Sequence, residues 1–154
     1  MQKISKALLM RTIAGPLTLL SLLLLSSQVA FCEPYKELNK SNPGQRFELR
    51  DYLTRNATTA VVFYSEHSAP SLTLLQTLES MSETDSELAV NYINLDRRGT
   101  KDVDWNSPLA RQHRINILPH VLIYEDGKLV RQGHPARKYI LQRMDRLEKR
   151  RRRR

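Results

Sequence analysis

The sequence predicts an α/β domain in three layers, a mixed central sheet with helices on both faces. Two strand-like runs separated by one amphipathic helix imply a parallel pair with a right-handed crossover. Further along, two β-rich runs flank Asp126-Gly127, the pair that a two-residue hairpin favours because both central residues need positive φ. A parallel pair beside an antiparallel hairpin makes the sheet mixed.

Residues 1–32 read as a secretory signal. Lys3, Lys6 and Arg11 form a positive start, and LTLLSLLLL from Leu17 to Leu25 is an apolar run of signal length, short of the about 20 residues a membrane span requires. Ala30 and Cys32 sit three and one residues before a cut that starts the mature chain at Glu33. Acylation at Cys32 and retention of the run as an anchor are the other outcomes. Cys32 is the single cysteine, so cleavage after it leaves an exported protein with no thiol and no internal disulfide. The localisation that follows is periplasmic or secreted, with membrane association if the segment stays.

Residues 33–46, with Asn39, Asn42, Pro43 and Gly44, read as a linker or extended arm. FELRDYLTR from Phe47 to Arg55 places Phe47, Leu49, Tyr52 and Leu53 on a rough helical stripe. TTAVVFYS from Thr58 to Ser65 is β-branched and aromatic, as a buried strand requires. A helix follows from about Pro70 to Ser82, with Leu72, Leu75, Leu78 and Met81 as its buried stripe and proline in its tolerant first turn.

LAVNYINLD from Leu88 to Asp96 is the second strand. DWNSPLARQHR then starts a helix with Ser107 as N-cap and Pro108 at the first helical position. Trp105 is expected to pack that helix start onto the sheet, with Asp104 helping to cap it. After the hairpin HVLIYEDGKLVRQG, Pro135 opens a last helix with Tyr139, Ile140, Met144 and Leu147 inward. The domain is therefore 47–148, and 149–154 form a basic C-terminal tail.

The charge is uneven. The formal net charge is +9, yet from Glu33 to Ala136 there are 12 basic and 14 acidic residues, whereas Arg137 to Arg154 hold 10 basic and 2 acidic. Basicity belongs to the last helix and tail. The run Lys149 to Arg154 suits an anionic membrane surface. Export and the lack of interleaved aromatics speak against nucleic acid.

With strand AVVFYSEHSAP running into a helix, NLD at Asp96, ILPH at Pro119 and the glycine at Gly133, residues 47 to 147 resemble the thioredoxin superfamily. DWNSPLARQ looks like the corresponding segment of a secreted bacterial thioredoxin-like group. The resemblance implies two cysteines around a dipeptide at the helix start, where helix N–H groups stabilise a thiolate. Here Ser68 and Ser71 stand at those positions with Ala69 and Pro70 between. The buried acid and the lysine that accompany the thiols correspond to Val62 and Tyr92. Pro119 corresponds to the family's cis-proline, which leaves neighbouring backbone groups available to an extended peptide.

The expected function is thus an exported, non-catalytic peptide- or protein-binding module without cofactor. Its degenerate catalytic positions are Ser68 and Ser71, and its recognition residues are His67, Ser68, Leu118, Pro119 and Gly133. Two alternatives stand beside it. One is a thiol-disulfide oxidoreductase-related protein of cell-envelope redox homeostasis, which needs sulfur from elsewhere. The other is a metal-binding variant in which His67, His120 and His134 meet on one rim. A hydrolase reading, with His67 activating Ser68, lacks an orienting carboxylate.

Overall fold

The computed structural model describes residues 35–53 and 55–153. Residues 1–32, read above as a signal and including Cys32, lie outside them. Among the described residues no helix is long and apolar enough to cross a membrane.

Five strands form one sheet in the order β1-β3-β2-β4-β5. They are β1 (Tyr35–Glu37), β2 (Thr58–Tyr64), β3 (Leu88–Asn94), β4 (His120–Glu125) and β5 (Lys128–Gln132). β2 runs parallel to β3 and antiparallel to β4, and β1 runs parallel to β3. Helix α1 (Ala69–Ser82) is the crossover between β2 and β3, α2 (Pro108–His113) precedes β4, and α3 (His134–Arg151) follows β5.

Alternation along β2 divides the core in two. Ala60, Val62 and Tyr64 face α1 and α3, where Leu74, Leu78, Met81, Ala136 and Ile140 close the first cluster. Val61 and Phe63 face the other way, onto Leu49, Ile93, Leu95, Leu109 and Ile115. This is the three-layer arrangement the sequence predicts.

The hairpin forms at Asp126 and Gly127, whose φ values of 53° and 75° are both positive. Between β4 and β5 the register shifts after Ile123, which pairs with Arg131 while Tyr124 pairs with Leu129. Val130 is therefore an extra residue on the edge strand, a β-bulge.

Three expectations need correction. Of the segment 33–46, the described residues from Tyr35 on are part of the fold: Tyr35–Glu37 adds an edge strand, and Asn39 pairs reciprocally with the backbone of Asn94, donating from Nδ2 to its carbonyl (2.8 Å) and accepting its N–H on Oδ1 (2.8 Å). Gly44, at φ 70°, lies so close to Arg97 that a Cβ would sit 2.7 Å from the Arg97 backbone nitrogen.

Phe47–Arg55 is not a helix but a single 3₁₀ turn at Arg50–Tyr52. The Gln112 side-chain amide takes both backbone groups of Phe47, accepting its N–H (3.0 Å) and donating to its carbonyl (2.9 Å), so that carbonyl is engaged away from a helical ladder. Finally, helix α3 continues through Lys149 and Arg150 to Arg151, into the residues read as a tail.

Candidate functional site

The site lies at one end of the sheet. β2 ends at Tyr64 beside Asn94 of β3, and Phe63 pairs with His120 at the start of β4. The loop 65–68, the end of β3 and the Leu118–Pro119 segment are thereby placed side by side. Gly133 joins them through its N–H, which donates to Val121 (2.8 Å). The Leu118–Pro119 bond is cis.

Ser68 is the N-cap of α1, with extended backbone, but its hydroxyl bonds no backbone N–H. Instead the Ser71 hydroxyl donates to Ser68 Oγ at 2.9 Å. Ser71 is fully buried and Ser68 half-buried. The pair has one inner, inaccessible member and one outer member at the mouth of the loop, and among the described residues neither hydroxyl is hydrogen-bonded to an imidazole or carboxylate that would take its proton.

The loop is held from beneath by Asp96. Its buried carboxylate accepts the Ser65 hydroxyl (2.7 Å) and the Glu66 N–H (3.1 Å) on one oxygen, and the Asp104 N–H (3.0 Å) on the other. Ser65 Oγ in turn accepts the His67 N–H (3.0 Å). Asn94 extends the network, donating from Nδ2 to Glu66 (3.0 Å) and accepting the Asp96 N–H (2.9 Å). The segment carrying Ser68 thus rests on a satisfied buried network, the arrangement in which polar groups rigidify a loop.

The three histidines named as metal candidates are not gathered. His67 is exposed and its Nε2 lies 3.2 Å from the Thr100 carbonyl. His120 meets Gln132 on the neighbouring strand (3.2 Å), and exposed His134 opens α3. Among the described residues no group of three His, Cys, Asp or Glu side chains is placed to hold a metal ion. His67 also makes no contact with the Ser68 hydroxyl, whose partner is Ser71.

A histidine pair that the sequence did not flag does form. The rings of His113 and His120 lie 4.7 Å and 6.2 Å from that of Phe63. Burial pushes the pKa of His113 down, against a hydrogen bond with the Phe47 backbone and the charge of Glu48, and burial together with His113 lowers that of His120.

The DWNSPLARQ segment is differently used than expected. Ser107 caps α2, accepting the Ala110 N–H at 3.1 Å. Asp104 does not cap. It forms a two-pronged pair with Arg97 (2.6 and 3.1 Å), which holds its carboxyl below the usual carboxylate range. Trp105 is 43% exposed rather than packed on the sheet.

Where the resemblance sets a buried acid and a lysine, Val62 is buried and in register with Tyr92. The Tyr92 ring lies 4.5 Å from Tyr35 and 5.7 Å from Tyr64. Tyr64 donates to Glu37 (2.9 Å), and burial raises the Tyr64 pKa. Tyrosines and an aliphatic side chain fill this place.

No family model matches the chain, and no curated protein sequence does. Solved structures do. Thioredoxin f2 of Chlamydomonas reinhardtii aligns over 70% of this chain and 91% of its own length, with 19% identity and a TM-score of 0.50. Thioredoxin of Trichomonas vaginalis aligns over 73% and 96%, with 17% identity and a TM-score of 0.52. Thioredoxin of Trypanosoma brucei brucei aligns over 73% and 88%, with 16% identity and a TM-score of 0.51. The fold is thioredoxin-like.

Proposed function

We propose that this thioredoxin-like chain is an exported module that recognises an extended protein or peptide segment at the Ser68, Leu118–Pro119 and Gly133 end of its sheet, without redox turnover. The observation that carries the reading is the Ser71-to-Ser68 hydroxyl bond of 2.9 Å at the start of α1. Two hydroxyls at hydrogen-bond distance, one of them buried, occupy the place of a dithiol and do not interconvert with a disulfide.

Recognition is supported by what stands around that pair. Ile117, immediately before Leu118–Pro119, is 69% exposed, and Leu72 in the first turns of α1 is also exposed. Apolar side chains beside backbone groups at a strand start are the combination that strand-like peptide capture uses. His67 and Ser68 supply polar groups at the border. Export rests on the signal-like segment 1–32.

The test has two arms. An insulin-reduction assay with dithiothreitol is expected to run at its uncatalysed rate, and turnover above that rate overturns the non-catalytic reading. A photo-crosslinking residue placed at Leu118 or His67 is expected to capture a specific cell-envelope protein that the same residue at exposed Arg111 does not. Equal capture at all three positions overturns recognition at this end.

A further inference from the structure

The second half of α3 carries more positive charge than the fold uses. Arg143, Arg146, Arg150 and Arg153 recur at intervals of three and four residues, so they share one flank of the helix line. Arg143 is engaged: it pairs with Asp85 through two nitrogens, lies 3.6 Å from Glu87 and donates to the Tyr139 hydroxyl (3.1 Å). Among the described residues no ion pair engages Arg146, Arg150 or Arg151. From Arg146 to Arg153 there are six basic residues and one acidic. Like charges at these spacings repel, so this stretch is a destabilising arrangement that an anionic partner relieves.

Two cavities flank this stretch, with Leu147 in the wall of both. One, of about 240 Å³, lies among Asp85, Glu87, Tyr139, Arg143, Arg146 and Arg150. Its basic residues outnumber its acidic ones, and one of the three is already neutralised by Asp85. The other is a groove of about 880 Å³ between the last turns of α1 and α3. Met81, Met144 and Leu147 supply its apolar wall, Arg150 and Arg151 its basic one, and Glu83 and Glu148 its acidic residues.

We propose that this end of α3 docks on an anionic phospholipid surface, with Arg146, Arg150 and Arg151 taking headgroup phosphates and the methionine-leucine groove facing the hydrocarbon border. Charge complementarity selects an anionic partner. The apolar groove beside Arg150 and Arg151 selects lipid over nucleic acid, since it offers hydrocarbon a surface next to arginine heads that reach phosphate. Residues 140–153 contain no aromatic side chain on which a base would stack. The surface is separate from the Ser68 end: α1 and α3 both start there and carry their last turns away from it, roughly 20 to 27 Å at 1.5 Å per residue.

The experiment is co-sedimentation of the full chain with phosphatidylcholine vesicles and with vesicles that also contain phosphatidylglycerol. The ratio of the two partition coefficients is the readout, because the apolar run 17–25 contributes to both. The ratio is expected to be large, to fall steeply with added salt, and to drop on the order of 100-fold in R146Q/R150Q/R151Q, at about 1 kcal/mol per basic residue near such a surface. The exposed-site control K101Q/R111Q/K128Q is expected to keep it. Anionic vesicles are expected to protect the amides of 143–153 from hydrogen exchange. A ratio near one, equal loss in the two triple variants, or tighter binding of duplex DNA than of vesicles at equal phosphate overturns the proposal.

Discussion

The Ser65 hydroxyl donates a 2.7 Å hydrogen bond to the carboxylate of Asp96, joining the end of β2 to the residues just past β3 beneath the loop that carries Ser68. Both residues are buried, and the same carboxylate also takes the N–H groups of Glu66 and Asp104. One side chain therefore fixes two loops at the Ser68 end of the sheet.

Replacing Asp96 with alanine strands three donors at once. At about 1–3 kcal/mol for a buried polar group left unpaired, Asp96→Ala is expected to destabilise the domain by about 3 kcal/mol or more. Ser65→Ala, which removes one donor to Asp96 and the acceptor of the His67 N–H, is expected to cost less, about 2 kcal/mol. Urea unfolding monitored by Trp105 fluorescence measures both. Equal, small effects would show that Asp96 does not organise the loop.

Asn39 tests whether the arm belongs to the domain. Its amide satisfies the N–H and C=O of Asn94, both in a buried setting. Asn39→Ala is expected to lower stability by about 2 kcal/mol. It is also expected to raise hydrogen exchange at Asn94 and Leu95. A change within about 0.5 kcal/mol would mean that the arm is an appendage.

The His113, Phe63 and His120 cluster makes stability depend on pH. Both imidazoles have depressed pKa values, chiefly through burial. Above the ordinary histidine value of about 6.5 both folded and unfolded chains are neutral there and the pair contributes no slope. Below it the unfolded chain takes up protons that the folded chain refuses, so stability falls as pH drops through the folded values. The melting temperature is expected to decline between pH 7 and pH 5, and His113→Phe, which keeps a ring against Phe63, is expected to make that decline shallower. Asp85 and Asp104, held low by Arg143 and Arg97, lose their contribution only in a separate window, below the ordinary aspartate value of about 3.9. An unchanged slope in His113→Phe would remove His113 from this account.

The hydroxyl pair predicts what sulfur would do in its place. Ser68 and Ser71 are three residues apart at a helix start, with side-chain oxygens 2.9 Å apart, a spacing that a disulfide spans with little adjustment. The double variant Ser68→Cys/Ser71→Cys is expected to form an intramolecular disulfide and to gain insulin reduction above the parent. The outer thiol, on the half-exposed N-cap, is expected to react first with an alkylating agent. Failure to form the disulfide under oxidising conditions would contradict the geometry.

Much of the fold was legible because local signals agreed with it. The β-branched runs, the helix-opening prolines at Pro70, Pro108 and Pro135, and Asp126-Gly127 each specify an element without help from distant residues. Phe47–Arg55 misled because a helical stripe there was overridden by one long-range partner, Gln112. Asn39 looked like loop composition for the same reason, its two partners being 55 positions away. The grouping of Ser68, Ser71, Leu118, Pro119 and Gly133 came from the resemblance to the thioredoxin superfamily and not from any local pattern in the sequence. Three scattered histidines did not meet, because convergence depends on side-chain directions that spacing does not encode. His113 carried no pattern of its own, and its place against Phe63 follows from the orientation of the short helix α2. The Ser65–Asp96 link had one readable sign, a polar residue just past each of two neighbouring parallel strands.

The two rims of the sheet are both blunt. β1 offers three residues, too few to template a long pairing. β5 carries the extra residue Val130 and displays Lys128, so a second molecule laid alongside meets a broken hydrogen-bond ladder and a charged side chain. Its exposed Leu129 and Val130 would otherwise invite that association. Both edges thus disfavour strand-to-strand joining of crowded copies, and the bulge contributes by interrupting the ladder such a copy would extend.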